Sequence, residues 1–353
     1  MSNPVQRLAF ASFLPVMMRV LALLLVVVLC SVAAPAAFAD AAGQRFVQSF
    51  WPTAKKAGIS RQVYLAALGN FTPDPDVIAK AEAQAEFVRP IWDYLDSAVS
   101  EKRIANGKAA LARNSARLAA IEETYGVDRA IIVAVWGMES SYGAALQNPK
   151  MVKSTIRSLA TLAAMGGSRA PYGRKQLIAA LKILQHGDVS VHGMTGSWAG
   201  AMGHTQFIPT TYLAYAVDFD GDGHRNIWTS EADALASTAH YLAKMGWSHG
   251  DAWGYEVVLP AHFDWRLQGR TAPLSSWRKL GIQRVAGRLF PQSEEPARLY
   301  APAGAHGPVF LVMPNFRVIK RYNNADAYAL AVGHLADRLR GAGDFLTPWS
   351  KAD

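Results

Sequence analysis

One glutamate stands where a protein could use it as an acid. From Ala130 to Met138 the chain reads AIIVAVWGM, and Glu139 follows directly. A helix that is apolar on every side is a buried one, so this run carries Glu139 to the edge of a core. Asp128 is placed to cap the start of that helix with its side chain. Burial disfavours an ionised carboxylate and raises its pKa, which prepares a glutamic acid to donate a proton near neutral pH. The competing reading is a helix-end glutamate that points into water. The helix by itself does not separate the two.

Two further stretches carry chemistry-bearing residues. Between Gly196 and Gly223 the glycines Gly196, Gly200 and Gly203 let backbone approach a ligand. Ala199, Ala201 and Met202 are small or adaptable, and Ser197, Gln206 and Thr210 offer polar groups to a sugar. This pattern reads as a cleft floor, with tight helix packing as the alternative. The second stretch is DFDGDGH: Asp218, Asp220 and Asp222 occupy the first, third and fifth positions of a calcium-type loop, and Gly223 the sixth. Thr229 stands at the twelfth position, where such a loop carries a bidentate glutamate. Candidate ligands are therefore Asp218, Asp220, Asp222, His224 and Asp233, while Glu231 lies two positions beyond Thr229. The alternative is an acidic turn that caps a helix starting near Thr229 or Ser230.

The elements that must position these residues are mostly helical. Apolar spacing predicts helices over 44–54, 61–68, 77–98 kinked or split at Pro90, 109–125, 155–165, 174–184, 231–245 and 325–339. The 77–98 helix carries Phe87, Ile91, Trp92 and Leu95 on its apolar face, and Asn106-Gly107 reads as a break. Arg113 and Arg117 read as solvated surface, and 169–173 as a loop. From Gly254 the texture changes to strands over 255–259, 298–301 and 309–313, with a short helix at 277–281.

Composition bounds the class. The 353 residues are 51% hydrophobic and 18% charged, which fits about two globular domains and excludes a disordered chain. Residues 1–39 read as a secretory signal: Arg7 and Arg19, an unbroken apolar run from Val20 to Cys30, then Ala37-Phe38-Ala39 before Asp40. Met17 or Met18 is an alternative start. Cys30 is the one cysteine and leaves with the leader, so a large core must hold the exported chain without disulfides. Two of the nine net positive charges, Arg7 and Arg19, lie in the leader, which leaves +7 for the rest. A basic exported protein suits an anionic envelope polymer or membrane surface, and no nucleic-acid-binding motif is present.

Four segments together carry a family resemblance: VWGMESSYG at 135–143, GSWAGAMGHTQFIPTTY at 196–212, DFDGDGHRNIW at 218–228 and FRVIKRYNNADAYALAVGHLADRL at 316–339. The chain resembles the lytic murein transglycosylases of the B type, in family order over nearly all of 43–340. The resemblance implies a mainly α (α+β) fold: an N-terminal helical region at 40–125, a lysozyme-like catalytic core at 126–250, and a small C-terminal α+β lobe at 251–353 that completes a glycan cleft. It implies cleavage of the β-1,4 bond between N-acetylmuramic acid and N-acetylglucosamine, leaving a 1,6-anhydromuramic end. Glu139 is implied as the single acid and base. Ser197, Ala199, Gly200, Met202 and Gln206 are implied to line the cleft. Arg169 is implied to lie near a muramic or peptide carboxylate, and Tyr322, Asn323 and Tyr328 to face the sugars. No cofactor is required; a structural calcium ion is the candidate occupant of the acidic loop. The implied partners are peptidoglycan glycan strands and complexes of cell-wall synthesis or hydrolysis, not nucleic acid. The implied location is the periplasm of a Gram-negative-type bacterium, with the protein soluble after signal cleavage. A catalytically idle peptidoglycan-binding scaffold and a hydrolytic muramidase are the competing classes.

Overall fold

The computed structural model describes residues 41–83, 89–291 and 294–350. The proposed leader at 1–39 and Phe87 lie outside the described residues. In chain order the helices are α1 (41–56), α2 (Arg61–Leu68), α3 (Pro75–Glu82), α4 (Ile91–Ala98), α5 (Glu101–Arg113), α6 (Ser115–Tyr125) and α7 (Arg129–Ser140). They continue with α8 (Thr155–Ala164), α9 (Ala170–His186), α10 (Pro209–Tyr215), α11 (Glu231–Lys244), α12 (Leu274–Lys279), α13 (Pro314–Tyr322) and α14 (Asp326–Leu339). The strands are β1 (Lys153–Ser154), β2 (Thr195–Gly196), β3 (Gly254–Val258), β4 (Thr271–Pro273), β5 (Gln283–Arg284), β6 (Pro296–Tyr300) and β7 (Val309–Val312).

Helix α7 is the axis of the molecule. Asp128 accepts from the backbone N–H groups of Ala130 at 2.7 Å and Ile131 at 3.2 Å, which answers two of the free donors at the helix start. Every residue from Ala130 to Gly137 is buried, as an all-apolar run requires. Helices α5, α6, α11 and α14 pack around it. A second apolar cluster joins α1 and α2 to α8, α9 and α10, and there the Tyr64 hydroxyl donates to the carbonyl of Val47 at 2.6 Å. Both clusters run across residue 125: the N-terminal helices are built into the same cores as the central ones.

The third cluster belongs to an antiparallel sheet of order β4-β6-β7-β3-β5. Its central register places Leu311 between Tyr255 and Leu299. Trp277 of α12 fills the face of the sheet, and its Nε1–H donates to the carbonyl of Ala297 at 2.9 Å. From β7 the chain passes into α13 and returns through α14 to the side of α7. A helix-rich body with a small antiparallel sheet is the architecture expected.

Several local expectations change. The break expected at Asn106-Gly107 is absent, because α5 runs through both residues, and the chain turns instead at Asn114. Gly107 is there for space: a Cβ would sit 2.5 Å from the hydroxyl oxygen of Tyr142. Of the two outcomes expected at Pro90, a kink or a split, the split is found: α3 and α4 are separate helices, with Pro90 at the N-cap of α4. The loop expected at 169–173 is the first turn of α9, which tolerates Pro171 because a first-turn N–H has no helical partner to lose. Strands β1, β2, β4 and β5 are too short to show an alternation in sequence.

Candidate active site

Glu139 lies in the last turn of α7, and the backbone just beyond it is unusual. Ser141, Tyr142 and Gly143 all have positive φ, at 50°, 59° and 88°. A non-glycine residue in this region is uncommon, and two in succession need surroundings that hold them. Those surroundings are specific. The ring of Tyr142 folds back against α7, where a Cβ on Gly137 would stand 2.6 Å from it. Its hydroxyl donates to the carbonyl of Arg103 at 2.9 Å. Gly143 lies against His204, since a Cβ there would be 2.5 Å from the ring. The Ser140 hydroxyl donates to the His204 carbonyl at 3.0 Å and accepts from the N–H of Gly143 at 3.2 Å. Nε1–H of Trp136 donates to Nδ1 of His204 at 3.0 Å, so the neutral ring carries its proton on Nε2. Burial holds the His204 pKa below its ordinary value. Sequence reasoning missed His204; its one signal was its place within the glycine-rich stretch.

Glu139 is half-buried as a residue, and its carboxyl is surrounded by tyrosines. The Tyr328 hydroxyl of α14 donates to Oε1 at 2.6 Å. Burial pushes the Glu139 pKa up to about 7, against the pull of that hydrogen bond. The phenols of Tyr328 and Tyr322 are raised well above their ordinary value by burial first and by the Glu139 charge second, so both remain donors. Tyr322 donates to the carbonyl of Thr205 at 2.7 Å. Tyr94 of α4 is raised by the same two causes. It too escaped the sequence reading, although it lies three residues after Ile91 on a helix expected to be amphipathic.

The glycine-rich stretch forms a tight turn beside this carboxyl's helix. The Ser197 hydroxyl accepts from the N–H of Ala201 at 3.1 Å, and the Ala199 carbonyl accepts from the Tyr172 hydroxyl at 2.9 Å. Gly200 has φ of 86° and abuts Leu159. The Arg169 guanidinium lies 5.4 Å from the ring centre of Trp198 on the same turn. The Met202 N–H donates to the Phe207 carbonyl at 2.9 Å, which ties the turn to the segment carrying His204, Thr205 and Gln206. Met202 is fully buried, backbone included, so it packs in the core behind the turn and does not face a cleft as expected. Gln206 has φ of 51°, and its side-chain amide donates to the Gly203 carbonyl at 2.9 Å. Asn323 is exposed at the C-cap of α13.

The acidic loop gathers four of its five candidates. One carboxylate oxygen from each of Asp218, Asp220, Asp222 and Asp233 lies within 4.8 Å of the others. Asp233, buried on α11, accepts from the N–H groups of Phe219 at 2.8 Å, Asp220 at 3.3 Å and Asn226 at 2.8 Å. Its pKa is raised chiefly by burial. His224 is exposed and outside this group; its backbone N–H donates to Asp222 at 2.8 Å. Ser230, not an aspartate, caps α11. Glu231 turns the other way, accepting from Asn114 at 2.8 Å with Arg113 and Arg117 at 3.6 and 3.8 Å. Arg113 also lies 5.2 Å from the ring centre of Trp136, so it braces α7 as well as meeting solvent. A donor set made only of carboxylate oxygens fits a hard cation such as calcium.

Comparison with known proteins follows the same lines. The chain matches the Transglycosylase SLT domain family over residues 42–337. It is 33% identical over 219 residues to the membrane-bound lytic murein transglycosylase B of Escherichia coli (strain K12), a match covering 60% of this chain and 57% of that protein's length. The fold is similar to that of SltB3 from Pseudomonas aeruginosa in complex with NAG-NAM-pentapeptide, with a TM-score of 0.84, 49% identity, and coverage of 88% of this chain and 83% of the other. It is also similar to Escherichia coli Slt35 in complex with calcium, with a TM-score of 0.69, 27% identity, and coverage of 85% and 93%.

Proposed function

The chain belongs to the Transglycosylase SLT domain family, and on that premise we propose that it is a peptidoglycan lytic transglycosylase with Glu139 as its one acid and base. Protonated Glu139 gives its proton to the oxygen linking N-acetylmuramic acid to N-acetylglucosamine, and the C1–O bond breaks. The N-acetyl group of the muramic sugar supports the developing cation. Ionised Glu139 then takes the proton of the C6 hydroxyl as that oxygen bonds to C1, which closes a 1,6-anhydro ring. The nucleophile is part of the same sugar, so little orientational entropy opposes it.

The observation that carries this reading is the state of Glu139. A pKa near 7 leaves both forms of the carboxyl populated at neutral pH, as one group serving as acid and then base requires. Tyr328 donates to it and so stabilises the ionised form between the two steps. Ordinary glycoside hydrolysis uses a second carboxylate to activate water or attack the sugar. The groups coupled to Glu139 among the described residues are tyrosines, which favours the intramolecular route.

In this reading Ser197, Ala199, Gly200 and Gln206 line the glycan path, and Met202 supports them from the core. Arg169, held over Trp198, meets a muramic or peptide carboxylate, and Tyr322 and Asn323 border the sugars. Asp218, Asp220, Asp222 and Asp233 would hold a calcium ion that fastens the 218–226 loop to α11, a structural service outside the reaction. The protein acts in the periplasm after export.

The test is digestion of purified sacculi by the wild type and by Glu139→Gln, read by mass spectrometry. Muropeptides one water lighter than reducing ends, released by the wild type alone, support the proposal. Reducing ends would assign a hydrolytic muramidase, and no release by either protein would assign an idle scaffold.

A further inference from the structure

A cavity of about 460 Å³ opens at the far end of α7 from Glu139. Asp128, at its wall, precedes Glu139 by eleven residues, which is about 16 Å of helix. The other walls come from the end of α14, from β3 and from the segment after β5. Trp247, Trp253 and Tyr255 supply flat surface, and Arg284, Arg288 and Arg340 supply charge.

The three arginines are not alike. Arg340 is paired with Asp128 at 2.8 Å and Asp337 at 2.7 Å, and Asp337 also accepts from Nε1–H of Trp253 at 2.9 Å. Arg284 lies over the Tyr255 ring, 4.5 Å from its centre, and donates to the Leu289 carbonyl at 2.8 Å. Neither Arg284 nor Arg288 makes an ion pair among the described residues. Burial first, and Arg288 after it, lower the pKa of Arg284, against the opposing pull of Tyr255 and Asp337. Two like charges facing one cavity repel each other, and an anion bridging them relieves that repulsion. Guanidinium groups present forked donors that match a carboxylate.

The remaining lining narrows the anion. Asp251 stands exposed on the same cavity, in addition to Asp128 and Asp337. A dianion such as phosphate is disfavoured by those three acids. A singly charged carboxylate on a chain that also carries N–H donors suits both signs of wall. The tyrosine and tryptophan faces suit a small apolar side chain next to that carboxylate. We propose that this cavity binds the free carboxyl terminus of a short peptide, with the carboxylate held between Arg284 and Arg288. The site is separate from the proposed reaction and does not depend on it. Free peptides and wall-linked peptide stems both carry such a carboxylate.

Titration calorimetry on the full chain tests the proposal with N-acetyl-alanyl-alanine in both hands, its C-terminal amide, a muramyl-linked peptide of the same terminus, and inorganic phosphate. Saturable binding of the acid is expected, with the amide at least tenfold weaker. Arg284→Gln and Arg288→Gln are each expected to weaken the acid about tenfold. Glu139→Gln should leave binding unchanged, which keeps this result distinct from any failure of the catalytic reading. Arg288 is exposed, and its one hydrogen bond among the described residues is made by its backbone N–H, so a side-chain substitution tests the site without threatening the fold. Tighter binding of the muramyl-linked peptide supports a wall stem as the source, and equal binding supports free peptides. Equal affinity for acid and amide, tighter binding of phosphate, no saturable binding, or no effect of Arg288→Gln would overturn the proposal.

Discussion

Replacing Glu139 by glutamine should make the protein more stable, and by an amount that depends on pH. The folded-state pKa of Glu139 is about 7, against an ordinary 4.5. Below pH 4.5 the carboxyl is protonated in both the folded and unfolded chains, and glutamine, of nearly the same shape, changes little. Between pH 4.5 and 7 the unfolded chain ionises while the folded one keeps its proton, so the wild type loses about 1.4 kcal/mol of stability per pH unit. Above pH 7 both states are ionised and the loss levels off at about 3 kcal/mol. Glutamine escapes this loss, and its carbonyl still accepts the Tyr328 hydrogen bond. Urea denaturation of both proteins at pH 4.5 and pH 8 measures the difference. Near-equality at the lower pH and a glutamine advantage of about 2–3 kcal/mol at the higher pH are expected. A difference that does not change with pH, or a less stable glutamine protein at pH 8, would refute the claim that this carboxyl is held protonated by its surroundings.

Tyr328→Phe removes a donor to the ionised carboxyl, worth about 1.5–3 kcal/mol for a bond to a charged group. The Glu139 pKa should rise by one to two units, moving the high-pH limb of kcat/KM upward while kcat falls; an unmoved limb would sever Tyr328 from the titration. Gly137→Ala places a methyl 2.6 Å from the Tyr142 ring and should cost about 1–3 kcal/mol of stability in a denaturant melt. His204→Leu leaves the Trp136 N–H without its acceptor and should cost about 1–3 kcal/mol, seen in the same melt. Calcium should raise the melting temperature, and Asp220→Asn should reduce that rise; calorimetry without heat of binding would remove the ion.

Local features of the site could be read from the chain because their causes are local. The Asp128 cap, the buried run behind it and the position of Glu139 at its end follow from about a dozen consecutive residues. The acidic spacing at 218–222 was visible for the same reason. Contacts made across the chain were not. Tyr328 reaches Glu139 over 189 residues, and nothing near either residue announces the other. Gly107 was read as a turn signal because glycine after asparagine favours one, yet its role is to make room for a ring 35 positions on. Glu231 was read beside the acidic loop, but α11 turns it toward Asn114 and the two arginines. The family resemblance picked out Tyr322 and Tyr328, and it had no motif for Tyr94.

The partner of Glu139 arrives on the last helix of the chain. Until α14 docks against α7, Glu139 has neither the shelter nor the phenol that set its titration, and it behaves as any hydrated glutamate does. A half-made or part-unfolded molecule therefore carries a blunt acid. Wall-cutting capacity, if the proposed reaction holds, switches on only as a property of the finished tertiary structure, which guards the cell from its own unfinished copies.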